Sequence, residues 1–287
     1  MQEQQPHMTR EIYRKTKKKK KLRLKKGAFV LLFVIFLSLF IFSGYQLLKW
    51  HQDNQKIKTI TDDINEAITV VEHDNEGELI NPPENKESDY WSYIKVPFLE
   101  VDFTQLLQKN SDTVAFIHVE NTNINYPVVQ ASDNSYYLTH AFDKSRNDAG
   151  WVYLDYRNQL DVLDDNTIIY GHGRLDTTVF GSLKNALTKS WQSNKDNYIV
   201  RLSTPTSNMV FQIFSVYTIE AESYYIRTTF TTPEEKEKWL QTMKERNVAP
   251  IDTEVNVNDK IITLSTCQNN SGDRIVVQAK LIKQEAR

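Results

Sequence analysis

Cysteine is almost absent from this 287-residue chain: there is one, Cys267. A lone thiol excludes an internal disulfide, so no covalent staple holds the fold. There is no Cys-x-x-Cys, no His-Glu-x-x-His and no dense Asp/Asn loop of EF-hand type, so no metal is expected. No phosphate-cradling glycine loop occurs either, and no cofactor is expected. Glycine is scarce, with eight residues, and four of these fall between Gly150 and Gly181. Two of the four flank His172. Glycine allows close backbone approaches that other residues cannot make, so this crowding marks a shaped loop beside a histidine. No internal repeat is apparent.

Charge is absent from one long stretch. Gly27 to Leu48 carries none, whereas residues 10–26 hold eleven Lys or Arg. As a helix, the 22 uncharged residues reach about 33 Å, enough to cross a hydrocarbon core of about 30 Å. The basic block should stay in the cytoplasm, which places the rest of the chain outside the cell. The apolar run is too long for a typical signal-peptide core, so a retained signal anchor is expected, with a single pass. The basic run faces anionic lipid headgroups in this reading. The remainder of the chain has 24 basic and 35 acidic residues, and such an acidic exterior domain has no evident use for nucleic acid.

The sequence divides into a basic cytoplasmic tail (1–26), a transmembrane anchor (27–48), an extracellular stalk (49–89) and a packed domain (90–287). In the stalk, Ile57, Ile60, Ile64, Ala67, Ile68 and Val71 recur every three or four residues, which predicts an amphipathic helix over Gln55–Val71. Asn81-Pro82-Pro83 then breaks regular structure. From Tyr90 the chain reads as a packed domain. A short helix is expected over Phe103–Lys109. Strands are expected at Thr113–Val119, Tyr126–Gln130, Trp151–Leu154, Thr167–Tyr170, Asn197–Leu202, Val210–Tyr217, Lys260–Leu264 and Arg274–Ile282. Many short strands argue for a β-barrel or sandwich. One longer helix interrupts the late strands. Thr232 can cap it, Pro233 suits its first position, Glu235 suits a capping box, and it runs to about Asn247. Trp239, Leu240 and Met243 form its apolar stripe.

Three chemical groups stand at strand edges. Cys267 closes one strand-like run, His172 ends another, and Arg274 opens a third. A thiolate attacks an acyl carbon, an imidazole moves protons, and a guanidinium stabilises an oxyanion. Together these point to a cysteine acyl-transferase. The backbone N–H of Gln268 could assist Arg274. No acidic third member is marked: Asp273 adjoins Arg274 and is equally a solvated surface charge. His140 is a second candidate site residue, whereas His118 reads as a packed or half-exposed strand residue.

Thr263-Leu264-Ser265-Thr266-Cys267 resembles the Thr-Leu-x-Thr-Cys signature of sortases, membrane-anchored cysteine transpeptidases of Gram-positive bacteria. Asn125-Tyr126-Pro127-Val128-Val129-Gln130 and Tyr136-Tyr137-Leu138 resemble the early barrel of that family. Ala149-Gly150, Leu154-Asp155-Tyr156-Arg157-Asn158, Tyr170-Gly171-His172 and Val179-Phe180-Gly181-Ser182-Leu183 resemble its class B branch, as does the helix after Pro233. The resemblance spans roughly residues 90–287.

It implies a mainly β fold, a closed sortase barrel with added helices, and a cysteine peptidase type of chemistry. Cys267 would cleave a C-terminal sorting motif of secreted proteins after threonine and form a thioacyl enzyme. An amine would then resolve it, anchoring the protein to a peptidoglycan precursor. His172 would be the general acid and base, and Arg274 would hold substrate and oxyanion. Ser265 and Thr266, beside the nucleophile, and Tyr225 and Ile226 are expected to bind the peptide. The partners would be the sorting peptide, the amine acceptor and membrane lipid. Gly173 departs from the Asn that many class B members carry there, and the interval from Cys267 to Arg274 is short. Three alternatives stay open: a pilin-polymerising enzyme using a lysine amine, a cysteine protease using water, and a non-catalytic membrane-anchored peptide-binding module.

Overall fold

The computed structural model describes residues 26–67, 70–73, 77–267 and 272–287, with Ala67 and Cys267 described by backbone alone. The basic tail, apart from Lys26, lies outside the described residues, as does Gln268. The described chain begins in one helix, α1 (Lys26–Ala67). A division into two units falls between Lys49 and Trp50. In the first unit the large apolar side chains from Phe29 to Leu48 are exposed. A stretch of helix that is apolar on every side and exposed suits lipid. Among the described residues it is the one helix long and apolar enough to cross a membrane.

The second unit is organised by strands β1 (Val70–His73), β2 (Glu78–Leu79), β3 (Phe98–Val101), β4 (Thr113–Val119), β5 (Asn125–Val129), β6 (Tyr153–Leu154), β7 (Asn166–His172), β8 (Ile199–Ser203), β9 (Ser207–Glu220), β10 (Ile261–Cys267) and β11 (Asp273–Ala286). Helices α2 (Tyr90–Tyr93), α3 (Phe103–Lys109), α4 (Lys189–Gln192) and α5 (Pro233–Arg246) are added to them. The main sheet runs β10-β7-β6-β5-β4-β8-β9-β11-β2, and β10 also pairs with β11. That last pairing closes eight strands into a barrel, leaving β2 attached outside to β11. Closure leaves no open ladder edge in the ring. Strands β1 and β3 form a separate antiparallel ribbon.

Local sequence explains the elements that position the site. Asp102 caps α3 by accepting from the Thr104 N–H at 2.8 Å, and Phe103 and Leu106 are buried beneath it. Thr232 caps α5, accepting from the Glu235 N–H, and Pro233 occupies its first turn. Trp239, Leu240 and Met243 then bury against Phe214, Tyr217 and Val276 of β9 and β11. Each such large apolar side chain contributes about 1.5–3 kcal/mol on burial. Lys236 secures the same helix, donating to Asp165 at 2.9 Å and to the Asp259 carbonyl at 2.8 Å. Those two acceptors precede β7 and β10, the strands that carry the candidate site.

Two local differences from the sequence-based expectations have physical causes. The helix expected over Gln55–Val71 is the outer part of α1 and stops at Ala67. Val70 and Val71 pair with Val101 and Glu100 instead. Two adjacent β-branched residues favour an extended ribbon. Ile57 and Ile64 are buried in the core, so this part of α1 packs through its apolar stripe, within the same unit as the barrel. The strand expected over Trp151–Leu154 shortens to Tyr153–Leu154. Trp151 serves as a buried anchor whose indole N–H donates to the Pro127 carbonyl at 2.9 Å.

Candidate active site

Strands β7 and β10 run parallel, in a register that places Cys267 opposite His172. Strands β10 and β11 run antiparallel, in a register that places Cys267 opposite Arg274. His172, distant in sequence from the other two, therefore lies in one row with Cys267 and Arg274 across three neighbouring strands. Adjacent strands are spaced by about 4.8 Å, so the row is short enough for long side chains to converge on one bound group.

His172 is half-buried and held from several directions. Its Nε2 lies 2.8 Å from the Leu138 carbonyl oxygen. A carbonyl only accepts, so Nε2 carries the proton in that bond, and in the neutral ring Nδ1 is left as the basic nitrogen. The backbone oxygen of His172 accepts from the N–H groups of Arg174 at 3.0 Å and Phe180 at 3.2 Å. Gly150 presses against the ring. It has a φ of +61°, and a Cβ there would sit 2.9 Å from His172 Cδ2 and 2.6 Å from the Tyr137 carbonyl oxygen. A side chain at this position is excluded both by space and by backbone conformation.

The turn that supplies Leu138 is itself fixed. Tyr137 is buried, donates to Asp112 at 2.7 Å and accepts from Asn110 at 2.9 Å. Burial, with the Asp112 carboxylate beside it, pushes the Tyr137 phenol far above its ordinary value, so it stays protonated as a donor. His140 belongs to this same turn. It stacks on Tyr136 with ring centroids 4.1 Å apart and bonds the Tyr136 carbonyl at 2.7 Å through Nδ1. Asp273 is paired in the ladder with Glu220 of β9. His118 is half-buried beside Glu120, at 3.3 Å.

Beneath β10 runs a buried polar ladder. Thr263 donates to Asn166 at 2.6 Å and accepts from Gln278 at 3.1 Å. Asn166 in turn donates to the carbonyls of Tyr225 and Arg227, at 3.2 and 2.8 Å. The Tyr225 hydroxyl lies 2.9 Å from the Ser265 hydroxyl, and both residues are buried, as is Thr266. Ile226 is half-buried, and its carbonyl accepts from Arg157 at 3.0 Å. Tyr225 and Ser265 thus tie the 225–227 loop to the strand bearing Cys267.

Sequence reasoning did not single out Asp155, which closes the far side of this network. It accepts from Arg157 at 2.8 and 2.7 Å, from Tyr170 at 2.9 Å and from Asn134 at 2.9 Å. Burial alone would raise its carboxyl pKa, but the bonds from Arg157, Tyr170 and Asn134 outweigh burial and hold it below the ordinary carboxylate value. The only sequence signal was its place in Leu154-Asp155-Tyr156-Arg157-Asn158. Arg274 is half-buried, and its guanidinium reaches the carbonyls of Gly272 and Asp273 only at 3.5 Å, the outer limit of a hydrogen bond. It is a pre-placed donor without a strong local anchor in the described residues.

A family model described as the Sortase domain matches residues 117–282, more than half of the chain. The chain belongs to the sortase family. Its similarity extends to Sortase B of Listeria monocytogenes, 32% identical over 252 residues that cover 87% of this chain and 94% of the relative. It also extends to Sortase B of Staphylococcus aureus, 35% identical over 184 residues, covering 63% of this chain and 75% of that protein. Among solved structures, sortase B from B. anthracis in complex with AAEK1 superposes with a TM-score of 0.64 at 31% identity, covering 83% of this chain and 99% of that one. The Staphylococcus aureus sortase B–substrate complex gives 0.59 at 35% identity, covering 63% and 84%. Within the family, the chain falls in the class B branch.

Proposed function

We propose that this protein is a cysteine transpeptidase that cleaves a C-terminal sorting motif after threonine and joins the new acyl end to an amine. The observation that carries this reading is the row His172–Cys267–Arg274 across β7, β10 and β11. The Cys267 thiol gives its proton to Nδ1 of His172, and the thiolate attacks the threonine carbonyl. Arg274 donates to the oxyanion of the tetrahedral intermediate. That intermediate collapses, the C–N bond breaks, and His172 returns the proton to the departing amine. A thioester to Cys267 remains. An incoming amine attacks it, gives up a proton to His172, and leaves as an amide while the thiolate departs.

Supporting this reading are the Leu138 bond, which leaves Nδ1 basic, and the Tyr225–Ser265 tie, which holds the 225–227 loop against β10. In that reading Ser265, Thr266, Tyr225 and Ile226 shape the peptide site from below and beside it. One sortase B relative was solved complexed with triglycine. A short glycine peptide presents an unhindered primary amine, the kind of acceptor that this chemistry needs, and favours cell-wall anchoring. The apolar part of α1 serves as the membrane anchor, with the basic tail inside and the barrel outside.

The test uses the full chain in detergent micelles, C-terminal tail peptides of proteins exported by the same cell, and triglycine as acceptor. Mass spectrometry should show a tail shortened after threonine and extended by the glycines. Cys267→Ala and His172→Ala should each abolish that product. Product formed at the wild-type rate by Cys267→Ala would overturn the mechanism.

A further inference from the structure

The histidine loops are held at two points by adjacent residues of α1. On one side, Asn147 donates through Nδ2 to the Asp53 carbonyl at 3.1 Å. On the other, Arg174 donates through its guanidinium to the Asn54 side-chain oxygen. Asn147 is buried, and its backbone bonds the Thr139 carbonyl at 2.9 Å and receives the Gly150 N–H at 3.0 Å. It therefore ties Thr139, the neighbour of the Leu138 that fixes the His172 tautomer, to Gly150, which abuts the ring. Arg174 lies two residues beyond His172 and donates from its own N–H to the His172 carbonyl at 3.0 Å. Its guanidinium is mostly buried and further fixed by Asp176 at 2.8 Å and Thr178 at 2.8 Å.

We infer that Asn54 and the Asp53 carbonyl of the anchor helix are positioning elements for His172, bracketing the two loops that orient the ring. The inference rests on the proposed role of His172 as the proton carrier. Neither helix residue touches the reacting atoms. Each acts through one loop residue: Asp53 through Asn147, and Asn54 through Arg174. Burial of Ile57 and Ile64 fixes this stretch of helix on the barrel, so the two bonds start from a packed support. Small errors of placement are costly to proton transfer, because the imidazole must meet the sulfur within hydrogen-bond reach. The same helix that carries the membrane-crossing apolar run thereby contributes to the geometry of catalysis.

The sole cysteine makes a clean probe. Iodoacetamide alkylation of Cys267 in the full chain, followed by intact mass across pH, reads how the imidazole acts on the thiol without any peptide substrate. Asn54→Ala removes the acceptor for Arg174 while improving helix propensity, so the helix is retained. Its alkylation profile should move toward that of His172→Ala, with the rate at pH 7 lowered about threefold, and its melting temperature should match wild type. Asn54→Asp restores an acceptor for the guanidinium and should keep the wild-type profile. A wild-type profile in Asn54→Ala would overturn the inference, as would a shift that Asn54→Asp shares or one matched by a fall in melting temperature. A His172→Ala profile identical to wild type would instead remove the proton-carrier reading itself.

Discussion

Cys267 and His172 are register partners on parallel strands β10 and β7, and each is the last residue of its strand. Parallel pairing places two strand ends on the same side of a barrel, where the chain leaves the ladder and side chains can reach a bound peptide. The antiparallel partner β11 begins at the same level and brings Arg274 to the opposite flank of Cys267. The site is thus a product of how the barrel closes.

Arg274 offers the first prediction. Its guanidinium has only long contacts to the carbonyls of Gly272 and Asp273 in the described structure, so its loss should barely affect stability. Arg274→Ala should slow thioester formation by about 10²–10³, the usual loss for one oxyanion donor. Arg274→Lys should recover little of this, because an ammonium lacks the planar fork. Single-turnover acylation and thermal melting separate the two effects.

Gly150 sets a steric prediction. Gly150→Ala adds a methyl group into the His172 ring and the Tyr137 carbonyl, at a φ that L residues disfavour. It should destabilise the domain by about 1–3 kcal/mol, read by denaturant unfolding. The residual folded protein should also lose transfer activity, because relief of the contact displaces the ring.

Asp155 predicts an acid limit to stability. Its folded carboxyl pKa is held below the ordinary value, so its contribution to stability is fully present above the unfolded pKa of about 3.9 and is lost as pH falls through the lower folded value. Melting temperature against pH should therefore drop more gently below pH 4 in Asp155→Asn than in wild type, although the variant starts lower. Arg157→Ala should cost about 2 kcal/mol at neutral pH, discounted from a fully buried pair because the guanidinium is partly exposed.

Trp239 gives a packing prediction. It is fully buried between α5 and the barrel, and its indole N–H donates to the Tyr224 carbonyl at 3.0 Å. Trp239→Ala should cost about 3–5 kcal/mol, measured by urea unfolding. Because that carbonyl adjoins Tyr225, the variant should also bind the sorting peptide more weakly at temperatures where it stays folded.

Much of this arrangement was legible in the sequence. Apolar runs marked β4 and β10, a cap and proline marked α5, and the lone thiol drew attention to its strand. Those signals are local, and the structure places Phe103–Lys109 and Thr113–Val119 where the pattern did. Other features had no local signal. The Leu138 bond uses a backbone carbonyl, which every residue possesses. Asn54 and Arg174 are ordinary surface residue types whose meeting depends on α1 docking across 120 positions of sequence. Asp155 reads as one acidic residue among many until Tyr170, Asn134 and Arg157 converge on it. The β1–β3 ribbon escaped notice because the helical period of 57–64 runs on into Val71.

The most direct measurement is intact-mass analysis of the full chain quenched with acid during turnover of a sorting-tail peptide. One added mass is expected, equal to the N-terminal peptide fragment less water, located on Cys267, discharged by triglycine, and missing in His172→Ala. A peptide cleaved at full rate with no such adduct at any quench time, or an adduct formed equally well without the imidazole, would contradict the mechanism.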